Sequence, residues 1–221
     1  MRPRAVVDPL KCEGCGLCMI VCPLARFDNE NPVRIVERVN GEAYQSRTTM
    51  GPFIHAKLYP GAEASGKLVT LLRSMAEARA ARDRARMILI DSAPGVGCPV
   101  NASILSADLA VAVAEPSTSA LHDLQRTFQL TRFFDIPTRA VINKADLSPE
   151  MTLAIRKLCE REGVPVIGEI PFDPAIVDAM VAGRPPVLDT ACSSAAIIAS
   201  IVQKIELERK EIEDVHRKDT L

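Results

Sequence analysis

Four cysteines within eleven residues constrain this chain more than anything else in it: Cys12-Glu13-Gly14-Cys15-Gly16-Leu17-Cys18-Met19-Ile20-Val21-Cys22-Pro23. The spacing is C-x2-C-x2-C-x3-C-P, which suits an iron–sulfur cluster. Each x2 interval lets a short loop wrap thiolates around neighbouring corners of one cubane. Gly14 and Gly16 lack a Cβ, so the backbone can approach the sulfurs and aim N–H groups at them. Met19, Ile20 and Val21 would cover the cluster and lower the local dielectric, and Pro23 turns the chain after the last thiolate. Zinc and disulfides are the alternatives. Zinc usually takes two C-x2-C pairs set well apart, which this compact run does not provide.

The same run occurs in bacterial-type ferredoxins, and that resemblance carries a complication. In two-cluster ferredoxins the fourth cysteine of a run ligates the other cluster. Only one run is present here, so Cys12, Cys15 and Cys18 would hold one cluster and its fourth ligand is open. Either Cys22 closes its own site by a local rearrangement, or a second half-ferredoxin is missing.

Composition bounds the rest. At 221 residues and 48% apolar, the chain can bury a core; with 4% aromatics and no Trp, that core must be aliphatic. A net charge of −1 gives no electrostatic case for nucleic acid or an anionic membrane. Met1-Arg2-Pro3-Arg4 is not followed by the apolar stretch of a signal peptide, and no apolar run reaches bilayer length. Seven cysteines, four of them in the cluster run, point to a reducing cytoplasm.

Residues 5–11 read as a strand entering the cluster loop and 28–32 as a turn. Val33 to Val39 and a return strand through Tyr44 flank Asn40-Gly41, a hairpin signal, so a small module is expected over 1–46. Gly51 to Tyr59 reads as a strand and Lys67 to Arg84 as a helix capped by Ser65. Gly61 to Lys67 fits G-x4-G-K, but Leu68 stands where Ser or Thr would hold magnesium, so it reads as a loop opening a helix.

From Met87 the pattern becomes regular. Apolar strands are expected at Met87 to Ile90, Leu109 to Ala114, Arg139 to Ile142 and Val164 to Ile170. Helices are expected at Ser119 to Phe133, Pro149 to Glu162, from Pro174 to Val181, and from Cys192 into a charged tail over 206–218. Alternating strands and helices make an α/β fold with a parallel sheet, over 47–221.

Ligands of such sheets sit at the carboxyl ends of the strands. Asp91 follows an apolar run and precedes Pro94-Gly95, as a magnesium- and γ-phosphate-sensing switch would; a turn or cap is the alternative. Asn143-Lys144-Ala145-Asp146 follows a strand and resembles a base-recognition loop, with an Asn/Asp turn as the alternative. Asp173 lies after the next strand.

Together these landmarks resemble the MinD/Mrp-type P-loop ATPases that carry an inserted ferredoxin module. The resemblance rests on the cluster run, Gly51-Pro52-Phe53-Ile54-His55-Ala56, Ser65-Gly66-Lys67-Leu68-Val69 and Asp91 through Pro99. It continues through Glu115-Pro116-Ser117, Leu121-His122-Asp123-Leu124, Val141 through Asp146, and Ile170-Pro171-Phe172-Asp173. It implies a P-loop-NTPase-like three-layer domain and a [4Fe–4S] cluster on Cys12, Cys15, Cys18 and Cys22. A nucleotide site at Asn143, Asp146 and Asp173 with Asp91 as switch, and a homodimer, follow from it too. The implied role is nucleotide-linked cluster transfer or electron delivery, with a redox or cluster-transfer partner.

The departure matters for activity. Family members open with a K-G-G-x-G-K-T phosphate loop and two cluster runs; these 221 residues contain no such loop and one run. The chain thus resembles the C-terminal portion of such an ATPase. Hydrolysis of ATP with magnesium by the chain alone is not expected, and a paired ATPase chain could supply the loop. An electron carrier on an inert α/β scaffold and a non-functional fragment are the rival readings. The nitrogenase iron protein, a distant relative of the family, has a cluster cysteine after its switch Asp, which makes Cys98 a candidate ligand; the plainer expectation is a small buried residue. Cys159 and Cys192 read as core residues on helix faces.

Overall fold

The structure, a computed structural model, describes Val7, Cys12, residues 15–22, Val33, Arg34, Val36, and residues 39–62, 65–189 and 191–219, the last seven as backbone. The strand expected over 5–11 (Val7 apart) and the turn over 28–32 lie outside the described residues. Two compact units divide at Asp91, residues 1–91 and 92–221.

The first unit holds α1 (Leu17–Val21), β1 (Gly41–Thr48), β2 (Gly51–Leu58) and α2 (Gly66–Asp83). The hairpin is not where Asn40-Gly41 suggested. β1 and β2 pair antiparallel from Gly41↔Leu58 to Thr48↔Gly51, so Thr49-Met50 makes the turn. The Thr48 hydroxyl steadies it by donating to the Gly51 carbonyl (2.9 Å). Gly41 serves instead as a point of close strand contact. A Cβ there would sit 2.5 Å from the Lys57 carbonyl oxygen, so only glycine permits the strands to approach. The module boundary expected at residue 46 therefore falls inside β1. On one face of the hairpin His55 stacks between Tyr44 and Phe53, ring centroids 5.2 and 4.7 Å apart. As expected, Ser65 caps α2, accepting from the Leu68 amide at 3.4 Å.

In the second unit, α3 (Cys98–Ile104) leads into β3 (Ala110–Ala114), α4 (Thr118–Phe133), β4 (Thr138–Asn143), α5 (Pro149–Glu162), β5 (Val166–Ile170), α6 (Pro174–Val181) and α7 (Ala195–Asp219). β3, β4 and β5 form a parallel sheet in that order. The crossovers α4 and α5 cover one face, where Phe128, Ile155, Leu158 and Cys159 pack on Ala114, Ala140 and Ile142. α7 covers the other face, Ile201 meeting Val141 and Ile167 with Ile197 and Ile205 alongside. Period-2 alternation in a central strand explains this: Ala140 and Ile142 face one helical layer, Val141 the other. The elements expected from Leu109 onward are present within a few residues, except that α7 opens at Ala195 rather than Cys192.

Met87 to Ile90 departs from expectation. It forms no ladder, and Leu89 is 89% exposed. A four-residue apolar run becomes a strand only when a neighbour takes up its hydrogen-bonding groups, and none of the described strands does so. No helix among the described residues is long and apolar enough to cross a membrane.

The contact between α7 and β5 makes a direct test. A Cβ on Gly168 would lie 2.3 Å from Cγ1 and 2.4 Å from Cδ1 of Ile201. Gly168→Ala is expected to lower stability by about 1–3 kcal/mol through overpacking. Adding Ile201→Ala removes the clashing atoms, so the double variant should lose less than the two single losses combined, read by urea unfolding.

Candidate functional site

The cysteine run is organised around a short helix. The backbone at Gly16 is left-handed (φ 75°), a conformation glycine adopts without penalty, and it opens α1. Cys18 then lies in α1 and Cys22 directly after it, in extended backbone. Cys12, Cys15 and Cys18 are exposed, Cys22 is half-buried, and none is in a disulfide. The donor set suits the group: four free thiols at cluster spacing, on a segment short enough to fold around a cubane. Among the described residues no three His, Cys, Asp or Glu side chains already converge as a metal-holding group.

In the second unit, polar residues gather at the carboxyl ends of the parallel strands. Glu115 follows β3 and pairs with Lys144 just after β4, Oε1 to Nζ 2.6 Å. Lys144 itself is left-handed (φ 54°), and its amide donates to the Asn143 Oδ1 at 3.1 Å. That bond engages the Asn143 oxygen locally.

The loop is tied to the next one. The Ala145 amide donates to the Ile170 carbonyl (2.9 Å), and the Phe172 amide donates to Asp146 Oδ1 (2.6 Å). Thr152 from α5 donates to the Ala145 carbonyl (2.7 Å). Asp146 thus joins the two loops that follow β4 and β5.

Asp173 is the most engaged carboxylate of the unit. It caps α6, Oδ1 accepting from the Ala175 amide at 3.0 Å. Its Oδ2 accepts from the Ser194 amide (3.0 Å), the Ser193 hydroxyl (2.8 Å) and the Cys192 thiol (3.5 Å). These bonds, the Ser194 amide first and then the Ser193 hydroxyl, hold its carboxyl down at about 2 despite burial. Asp173 therefore fastens the start of α7 to the start of α6. No motif links residue 173 to 192–194, so sequence reasoning missed these partners; it also missed the Glu115–Lys144 pair.

Asp91 is exposed and outside any helix or strand, four residues before Gly95, which is left-handed at φ 91°. Cys98, expected as a small buried residue, is instead exposed as the first residue of α3. Cys159 is buried in α5, and burial pushes its thiol up. Cys192 is buried as expected, though in the turn before α7 rather than on a helix.

Residues 5–24 match the family model of the 4Fe-4S binding domain. An uncharacterized protein of Methanocaldococcus jannaschii is 31% identical over 62% of this chain and 55% of its own length. The septum site-determining protein MinD of Helicobacter pylori is 30% identical over 53% of this chain and 48% of its own. The iron-sulfur cluster carrier protein of Pyrococcus furiosus is 30% identical over 57% of this chain and 46% of its own. The chain spans about half the length of these curated relatives. Among solved structures, the MinC:MinD cell division protein complex of Aquifex aeolicus aligns with a TM-score of 0.55 at 20% identity, over 73% of this chain and 66% of that one. The chain thus joins a segment that matches the 4Fe-4S binding domain to an α/β fold similar to that of MinD.

Proposed function

We propose that the protein binds a [4Fe–4S] cluster through Cys12, Cys15, Cys18 and Cys22 and works in nucleotide-linked cluster transfer or electron delivery. The cysteine run inside the 4Fe-4S segment carries this reading. Similarity to an iron-sulfur cluster carrier protein supports transfer as the role. A cluster held there supplies reversible one-electron chemistry or is itself the cargo.

The chain's own residues suggest how a nucleotide would be received. With Oδ1 taken by Lys144, the Asn143 amide has its NH2 to donate to an acceptor on a purine edge. Asp146 and Asp173 hold the surrounding loops in place through their backbone partners. A second chain bringing the phosphate loop is part of the reading for one specific reason. Among the described residues the outer edge of β3 is unpaired, it carries no charge or proline, and Val113 on it is 63% exposed.

The test is anaerobic reconstitution, then iron and sulfide analysis, then ATP and ADP titration with magnesium. The expected result is four irons and four sulfides per cluster site, weak or no ATP turnover, and cluster loss to an apo-ferredoxin that changes with nucleotide. Reversible one-electron titration with no nucleotide effect would instead establish the electron carrier on an inert scaffold.

A further inference from the structure

The net charge of −1 conceals a division. Residues 1–91 hold 14 Lys and Arg against 10 Asp and Glu, a net of +4; residues 92–221 hold 13 against 18, a net of −5. In the first unit the positive charge is concentrated at the C-terminal end of α2 and just past it, where Arg79, Arg82, Arg84 and Arg86 follow closely in sequence with a single carboxylate among them, Asp83. Arg79 spends its charge on Asp83 (Nε to Oδ2, 2.5 Å), and Arg82 reaches the other oxygen at 3.7 Å. The Asp83 carboxyl is held below its ordinary value by the Arg79 hydrogen bond first, then by the charges of Arg79, Arg82 and Arg47. Arg47 on β1 therefore belongs to the same positive field.

Helix-end electrostatics explains only part of this. A cation in the last turn complements the helix dipole, and Arg82 is placed for that. Arg84 and Arg86 lie beyond the helix, are exposed, and make no ion pair among the described residues. Arg84 also occupies the left-handed cap position (φ 52°), where glycine would be less strained. One carboxylate cannot neutralise five guanidiniums, and all five are arginines, whose planar fork suits bidentate carboxylate recognition.

We propose that Arg47, Arg82, Arg84 and Arg86 form a docking surface for an acidic protein that exchanges electrons or clusters with the cysteine-bearing unit. The inference rests on the cluster-binding reading above. The partner is a protein rather than a nucleic acid because the chain's net charge of −1 gives a long polyanion no general attraction, whereas a compact acidic surface needs only the local patch. Such encounters are small, steered by charge and weakened by salt.

A labelled acidic ferredoxin serves as probe, its binding to the full chain read by fluorescence anisotropy in apo and reconstituted forms. Binding is expected to weaken by about tenfold as salt rises from about 50 to 500 mM. The Arg82→Gln, Arg84→Gln, Arg86→Gln triple variant should bind about tenfold more weakly at low salt, with melting temperature and iron content unchanged. Arg86→Gln alone, outside α2, gives a milder loss should the triple variant fold poorly. Unchanged affinity in a folded variant overturns the proposal. So does tighter binding of a single-stranded oligonucleotide or of anionic vesicles through the same arginines. Failure to hold iron would sink the cluster reading instead, since the anisotropy measurement on the apo form does not depend on it.

Discussion

Cys18→Ala is expected to leave a protein without iron or labile sulfide after anaerobic reconstitution, its visible absorbance near 400 nm lost. The reason lies in ligand number. Cys18 sits in α1 between Cys15 and Cys22, and replacing it removes one of the four thiols that the run supplies. A three-thiolate remnant holds a cluster at best with solvent as its fourth ligand and sheds it to chelators. Cys12→Ala and Cys15→Ala should behave alike. The other two cysteines then decide the open ligand. If Cys22 closes the site, Cys22→Ala loses the cluster and Cys98→Ala keeps it. The reverse pattern would assign the fourth position to Cys98, which is exposed as the first residue of α3.

Asp173→Asn is expected to destabilise the second unit more than any other single polar substitution in it. The carboxylate is 9% exposed and accepts four hydrogen bonds, two from backbone amides, one from the Ser193 hydroxyl and one from the Cys192 thiol. Asparagine keeps one acceptor oxygen but turns an NH2 toward donors, so buried groups lose their partner. A drop of several degrees in melting temperature at pH 7 is expected, with α7 loosening first.

The pH dependence follows from the sign of the shift. The folded carboxyl titrates at about 2, below its ordinary value of 3.8. Its contribution is fully present above about pH 4 and is lost as pH falls from there through about 2. The melting temperatures of wild type and variant should therefore converge on acidification from about pH 5 to about pH 2. A constant difference across that range would mean that the charge on Asp173 does not hold α6 and α7 together.

Much of the fold is legible in the chain because the signals are local. Parallel strands flanked by helices write themselves as short apolar runs between turn residues, and β3, α4, β4, α5, β5 and α6 all appear where those runs predict. Ser65 as a cap is legible for the same reason, since a hydroxyl and the amide three residues on are neighbours in sequence. Asn40-Gly41 misleads because the pair satisfies a turn and a close strand contact equally well, and only pairing with β2 distinguishes them. Met87 to Ile90 misleads because apolarity states a preference for burial, not the presence of a neighbouring strand.

The sequence by itself determined the donor chemistry of Cys12, Cys15, Cys18 and Cys22, whose spacing along the backbone limits what they can hold, and the order of strands and helices that follows. Only the tertiary structure decided what Asp146 and Asp173 do. Their partners lie 26 residues away at Phe172 and 20 away at Ser193, brought close by the parallel crossovers. It also decided that Lys144 reaches Glu115 and that Gly168 admits Ile201. Such contacts arise from packing two layers of helices on one sheet, and no local pattern encodes which distant groups that packing brings together.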